Sequence, residues 1–143
     1  MPVETPARTL SAELRAATLR LARRLRRERA GEELTDGQSG VLGLLLREGP
    51  MTPVALSAAE HVTPPSMNRT LNALELAGYI ERTRSADDRR LVLVTVTDAG
   101  HRLVLETRRR RDAWLDQRLA ALSPDELEVL DRAAHILRRM IDE

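Results

Sequence analysis

Two short clusters hold the side chains with the most chemistry to offer. The first is Ser66, Asn68, Arg69 and Asn72, just after the dipeptide Pro64-Pro65; the second is the run Ser85-Ala86-Asp87-Asp88-Arg89-Arg90, preceded by Arg84. A guanidinium can pair bidentately with a guanine edge or a phosphate, and an asparagine amide with an adenine edge. Catalytic chemistry has no comparable foothold. His61, His101 and His135 are far apart, and none has a second ligand at metal-binding spacing. No glycine-rich phosphate loop or nucleophile motif occurs. The chain has no cysteine, which excludes thiolate metal sites, disulfides and thiol redox sensing. No enzyme activity, cofactor or metal is expected.

The elements that must position these clusters follow from periodicity and capping. Residues 1–8 read as a disordered lead. Leu10, Leu14, Ala17, Leu21 and Leu25 recur at three- and four-residue steps, the stripe of an amphipathic helix closed by Gly31. Thr35 to Gln38 has the form of a capping box and opens a second helix, apolar from Val41 to Leu46, that stops at Gly49-Pro50. Thr52-Pro53 and Thr63-Pro64 each put a capping hydroxyl before a proline at the first helical position. The helices they open run to about His61 and from Pro64 to Ala77, a helix-turn-helix. Residues 79–84 and 91–96 are β-rich runs on either side of the polar loop, which makes a hairpin. A long helix is expected from Asp98 to about Leu122. Ser123-Pro124-Asp125-Glu126 then opens a last helix with Leu127, Leu130, Ala134, Leu137 and Ile141 on one face.

The fold class is therefore mainly α with a small β-hairpin wing: a winged helix-turn-helix core flanked by N- and C-terminal dimerisation helices. At 143 residues this is one domain, with residues 35–97 as the lobe and 9–30 and 98–143 as the flanking helices. The lobe is too small to cover both flanking stripes, so they are expected to bury against a second copy, giving a homodimer. Leu10, Leu14, Leu21, Leu130, Leu137 and Ile141 are the expected interface residues.

Charge is distributed unevenly although its sum is only +1. All basic residues are arginine, which a GC-rich genome would also produce. Arg108-Arg109-Arg110-Arg111 looks like a nucleic-acid patch, but four consecutive helical residues spread around the whole circumference, so solvation or pairing between helices is the expected use. The cluster from Arg23 to Arg29 is expected to rim the dimer. No signal-like apolar segment or membrane span is visible, and a cytoplasmic, nucleoid-associated location is expected.

On the fourth helix Met67, Leu71 and Leu74 share the core face, leaving Ser66, Asn68, Arg69 and Asn72 outward, where a recognition helix meets the major groove. A solvated helix face would look the same. At the hairpin tip, Arg89 and Arg90 suit a narrow minor groove, and Arg84 suits the adjoining phosphates; a solvated Asp-rich turn is the alternative.

Several stretches together resemble the MarR family: Leu34-Thr35…Gln38…Val41-Leu42; Met51-Thr52-Pro53…Leu56; Met67-Asn68-Arg69…Leu71…Leu74-Glu75…Gly78-Tyr79-Ile80; and Asp88-Arg89-Arg90 followed by residues 94–100. The likeness spans about residues 10–140. It implies a dimeric, usually repressing transcription factor on a pseudo-palindromic DNA operator, with two recognition helices in successive major grooves and two wings in flanking minor grooves. By position, Asn68 and Arg69 would be recognition-helix contacts and Arg89 the wing-tip contact, while Asp88 and Arg90 would support the wing by ionic pairing. It also implies release by a small, often aromatic or phenolic effector between the dimer helices and the lobe, at residues the sequence does not identify. Ala73 departs from the pattern where many relatives carry a basic residue. The alternative function is a winged-helix module for protein–protein contact, which the near-zero net charge would suit.

Overall fold

The computed structural model describes residues 6–28 and 34–142. Its order is α1 (Pro6–Arg26), α2 (Asp36–Glu48), α3 (Pro53–Glu60), α4 (Pro64–Leu76), β1 (Ile80–Arg84), β2 (Val92–Val96), α5 (Asp98–Leu119) and α6 (Pro124–Asp142). The mainly α class with one antiparallel hairpin is as expected. α1, however, begins at Pro6 rather than at residue 9, so the reading of residues 6–8 as part of a disordered lead is corrected; a proline at the first position starts a helix at no hydrogen-bonding cost. α5 ends at Leu119, three residues earlier than the periodicity suggested. Gly31, expected to close the first helix, lies outside the described residues, as does Arg29.

The helix starts follow the capping chemistry. Thr35 Oγ1 accepts from Gln38 N at 3.1 Å and Gln38 Oε1 accepts from Thr35 N at 3.0 Å. The same reciprocal pair joins Ser123 and Glu126. Thr52, Thr63 and Thr97 cap α3, α4 and α5 through the N–H groups of Ala55, Ser66 and Gly100. Each cap satisfies a donor the helix cannot. The turn between α3 and α4 passes through His61, whose φ of 54° and ψ of 42° put a β-carbon-bearing residue in the left-handed region.

Val41, Leu42, Leu44 and Leu45 of α2, Leu56 of α3, Met67, Leu71 and Leu74 of α4, Ile80 of β1 and Val94 of β2 form one buried cluster. Each such side chain contributes roughly 1.5–3 kcal/mol by leaving water, whereas an exposed ion pair contributes about 0–1 kcal/mol. The core, not the surface charges, holds the lobe together.

Tertiary contact adds one pairing that periodicity does not show. Met51, just before α3, exchanges backbone bonds with Val94: Val94 N donates to Met51 O at 2.8 Å and Met51 N to Val94 O at 3.3 Å. The loop leading into α3 is thereby tied to the wing. On the far side, Thr97 Oγ1 donates to Gly78 O at 2.6 Å and Thr97 N to Tyr79 O at 3.0 Å, closing the hairpin base.

Arginines of both helices join α1 to α5. Arg111 Nε donates to Leu25 O at 3.1 Å. The guanidinium carbons of Arg24 and Arg118 lie 4.6 and 5.1 Å from the centroid of the Trp114 ring, within cation–π range.

Candidate nucleic-acid interface

α4 is placed by burial on one side and proline-opened capping at its start. Met67, Leu71 and Leu74 are buried, and a helix so anchored must turn the intervening positions outward. Asn68, Arg69 and Asn72 are exposed and Ser66 is half-buried. Among the described residues, Asn68 and Arg69 make no side-chain hydrogen bond or ion pair, so their donors and acceptors are available. Asn72 differs: its Oδ1 accepts from Arg82 Nη2 at 2.9 Å.

Arg82 is the residue that inspection of the motifs missed. It sits opposite Val94 in the hairpin register and is half-buried, on the same strand face as the buried Ile80. Alternation along β1 was a usable signal, because residues two apart share a face. What lies opposite that face, namely α4, is a tertiary fact.

The wing loop is ordered by its own short side chains. The Ser85 Oγ accepts from Asp87 N at 3.3 Å and Asp88 N at 3.5 Å, while Ser85 N donates to Leu91 O at 2.9 Å and Leu91 N to Asp88 O at 3.0 Å. Asp88 Oδ1 accepts from Arg90 N at 3.0 Å and Arg90 Nε at 3.3 Å. Since the Arg90 side chain is 91% exposed, the bond to its backbone shapes the turn more than the ion pair does. Arg84 Nη1 donates to the carbonyl of Arg89 at 2.8 Å. Arg84 is therefore a brace across the loop as well as a surface cation. The Arg89 side chain is exposed and unpaired among the described residues.

Chemically, the surface offers a helix face with one amide, one guanidinium and one half-held amide, and separately a stiffened hairpin tip bearing a guanidinium unpaired among the described residues. Arg108–Arg111 is not part of it. Arg109 and Arg110 both reach Glu106, at 3.3 and 3.4 Å, and Arg111 bonds α1, so the run disperses around α5 as helical geometry requires. Among the described residues no group of three or more His, Asp or Glu is arranged to hold a metal ion, and no helix is long and apolar enough to cross a membrane.

Comparison with known proteins agrees with this architecture. A family model described as MarR family matches residues 33–91, from α2 through the wing loop. An HTH-type transcriptional regulator of Mycobacterium leprae (strain TN) is 40% identical over 134 residues, covering 94% of each chain. The structure of a MarR family protein from Bacillus stearothermophilus superposes with a TM-score of 0.82 over the full length of both chains at 24% identity. That of Streptococcus pneumoniae FabT in complex with DNA does so with a TM-score of 0.68 over 96% of this chain and 98% of that one, at 22% identity. On the full-length sequence relationship, the matching family model and the shared winged fold, the chain belongs to the MarR family of HTH-type transcriptional regulators.

Proposed function

We propose that the protein is a sequence-specific repressor that binds a pseudo-palindromic operator as a homodimer, in the cytoplasm at the nucleoid. α4 enters the major groove with Asn68 and Arg69 toward base edges, and the wing places Arg89 in the flanking minor groove. The observation that carries this reading is the pairing of an exposed, unpartnered Asn68-Arg69 face with an unpartnered Arg89 on a braced tip. Cations left without acids on a rigid frame suit a polyanion whose grooves are likewise rigid. The related Streptococcus pneumoniae FabT has been seen in complex with DNA, which supports the same use here.

The homodimer rests on apolar surface that one protomer leaves open. α6 has no buried residue; Leu130, Met140 and Ile141 are 46%, 61% and 80% exposed, and Leu10 and Leu21 of α1 are 65% and 44% exposed. Leu14 and Leu137 are half-buried. Apolar stripes of this extent on two helices mark an association surface, and two-fold pairing of α1 and α6 covers both at once.

One feature of the fold supports release by a small molecule. A cavity of about 390 Å³ opens between the end of α1, α2 and α5, over Leu42, Leu103 and Val104, with Arg26, Arg47, Arg108 and Arg111 around it and Asp36 as its one carboxylate among the described residues. Among the described residues no aromatic ring lines it, so an effector there would be held by its anionic group more than by stacking.

Genomic fragments enriched on the protein and then titrated in gel-shift assays test the reading. With about six phosphate contacts per dimer, affinity should fall about a thousandfold between roughly 50 and roughly 200 mM salt. A flat salt response, or no enriched fragment, would leave the protein–protein module as the better account.

A further inference from the structure

The amide of Asn72 is held by one end. A guanidinium only donates, so the amide atom facing Arg82 Nη2 at 2.9 Å must be the oxygen. The Nδ2 end, with both of its N–H groups, is then the end left over, on an exposed residue of the face that carries Asn68 and Arg69. Arg82 has reason to keep the bond. Its Nε is buried without a hydrogen-bond partner, and an under-satisfied buried charge is costly, so giving up Asn72 would worsen an already incomplete set of partners. The strand beneath it is tied through Val94 to Met51, which limits how far the guanidinium can follow a moving amide.

We propose that Arg82, by holding the Asn72 oxygen, makes the Nδ2 end the one Asn72 offers, so that Asn72 meets an acceptor on the DNA and does not read adenine. Adenine recognition by an amide uses its oxygen and its nitrogen together; Arg82 already occupies one of the oxygen's two lone pairs and holds that end on the strand side, so the N–H groups are the end whose full hydrogen-bonding capacity is left. The acceptors they suit are a phosphate oxygen or the acceptor edge of guanine or thymine. Asn68, unpaired among the described residues, keeps both ends of its amide and is the residue of this face suited to adenine. Arg82 is thus a positioning residue for specificity, acting through Asn72, and the inference rests on the DNA-binding reading above.

Selection from a randomised DNA library, followed by affinity measurement and phosphate-ethylation interference, tests this on the full-length protein. Wild type should enrich a motif. Asn72→Ala should then lower affinity about five- to tenfold, in one of two ways. Loss of preference for guanine or thymine at one position identifies a base acceptor; a uniform loss, with one ethylation interference removed, identifies a phosphate. Asn72→Asp keeps the bond to Arg82 but removes the donors and should bind at least as poorly as Asn72→Ala. Arg82→Met should free the amide and admit adenine where Asn72 reads a base, or weaken the interference where it meets a phosphate. The inference is overturned if wild type prefers adenine at a position that Asn72→Ala relaxes, or if Asn72→Ala changes affinity less than twofold. Should Arg82→Met fail to fold, as thermal melting would reveal, the two Asn72 variants still decide. If wild type enriches no sequence, it is the regulator reading that fails instead.

Discussion

Arg84 donates from Nη1 to the backbone carbonyl of Arg89 at 2.8 Å, so one arginine stiffens the peptide that carries the other. The braced carbonyl belongs to the main chain, which means the Arg89 side chain is not needed to keep the loop in shape. Frame and contact are separable in this wing, and each can be removed alone.

Arg89→Ala should lower operator affinity more than tenfold while leaving melting temperature and oligomeric state unchanged, since the lost guanidinium has no partner among the described residues. Gel shift, thermal melting and size-exclusion chromatography check this together. An affinity within about twofold of wild type means that the wing tip does not touch DNA.

Arg84→Met removes the brace and keeps the apolar stem. A smaller loss, about two- to tenfold, is expected, matching one hydrogen bond of about 0.5–1.5 kcal/mol net, together with faster amide exchange confined to residues 85–90. Unaltered exchange in the loop would show that Ser85 and Asp88 suffice to order it.

Ile141 is 80% exposed in the protomer, so Ile141→Glu should not disturb the protomer's own fold. In a dimer built on α1 and α6 it would bury an unpaired charge. Monomers with native helix content and poor DNA binding are expected; Leu14→Glu and Leu137→Glu should dissociate the dimer too. An unchanged elution volume would remove α6 from the interface.

Gly100 is buried in the first turn of α5, and a Cβ there would run into the Tyr79 carbonyl and crowd Val96 Cγ1. Backbone cannot yield as a flexible side chain can, so Gly100→Ala should destabilise by about 1–3 kcal/mol, read as a lower urea midpoint. A neutral result would mean that α5 can shift away from the hairpin base.

His61 goes the other way. At φ 54° its β-carbon is strained, and glycine takes that conformation freely. His61→Gly should stabilise by about 0.5–1 kcal/mol, net of the extra freedom glycine gives the unfolded chain. A loss of stability would reveal a contribution from the imidazole that outweighs the strain.

The linear chain by itself determined the order of elements, because helix starts and stops are local events. Thr35, Thr52, Thr63, Thr97 and Ser123 cap the helices they introduce, since a cap needs only a hydroxyl within reach of an N–H three residues on. The buried face of α4 was legible for the same reason: Met67, Leu71 and Leu74 repeat at the period of the helix itself. Everything that required two distant segments to meet had to wait for the tertiary structure. The bridge from Met51 to Val94, the docking of Arg111 on Leu25 and the bond from Arg82 to Asn72 join residues that no local period relates. The last changed the interface most. From the sequence, Asn68 and Asn72 were equivalent outward amides, each able to pair with adenine. The fold lays β1 beside α4 and gives one of them, but not the other, a guanidinium for a neighbour, and the charge of that neighbour decides which end of the amide is left over.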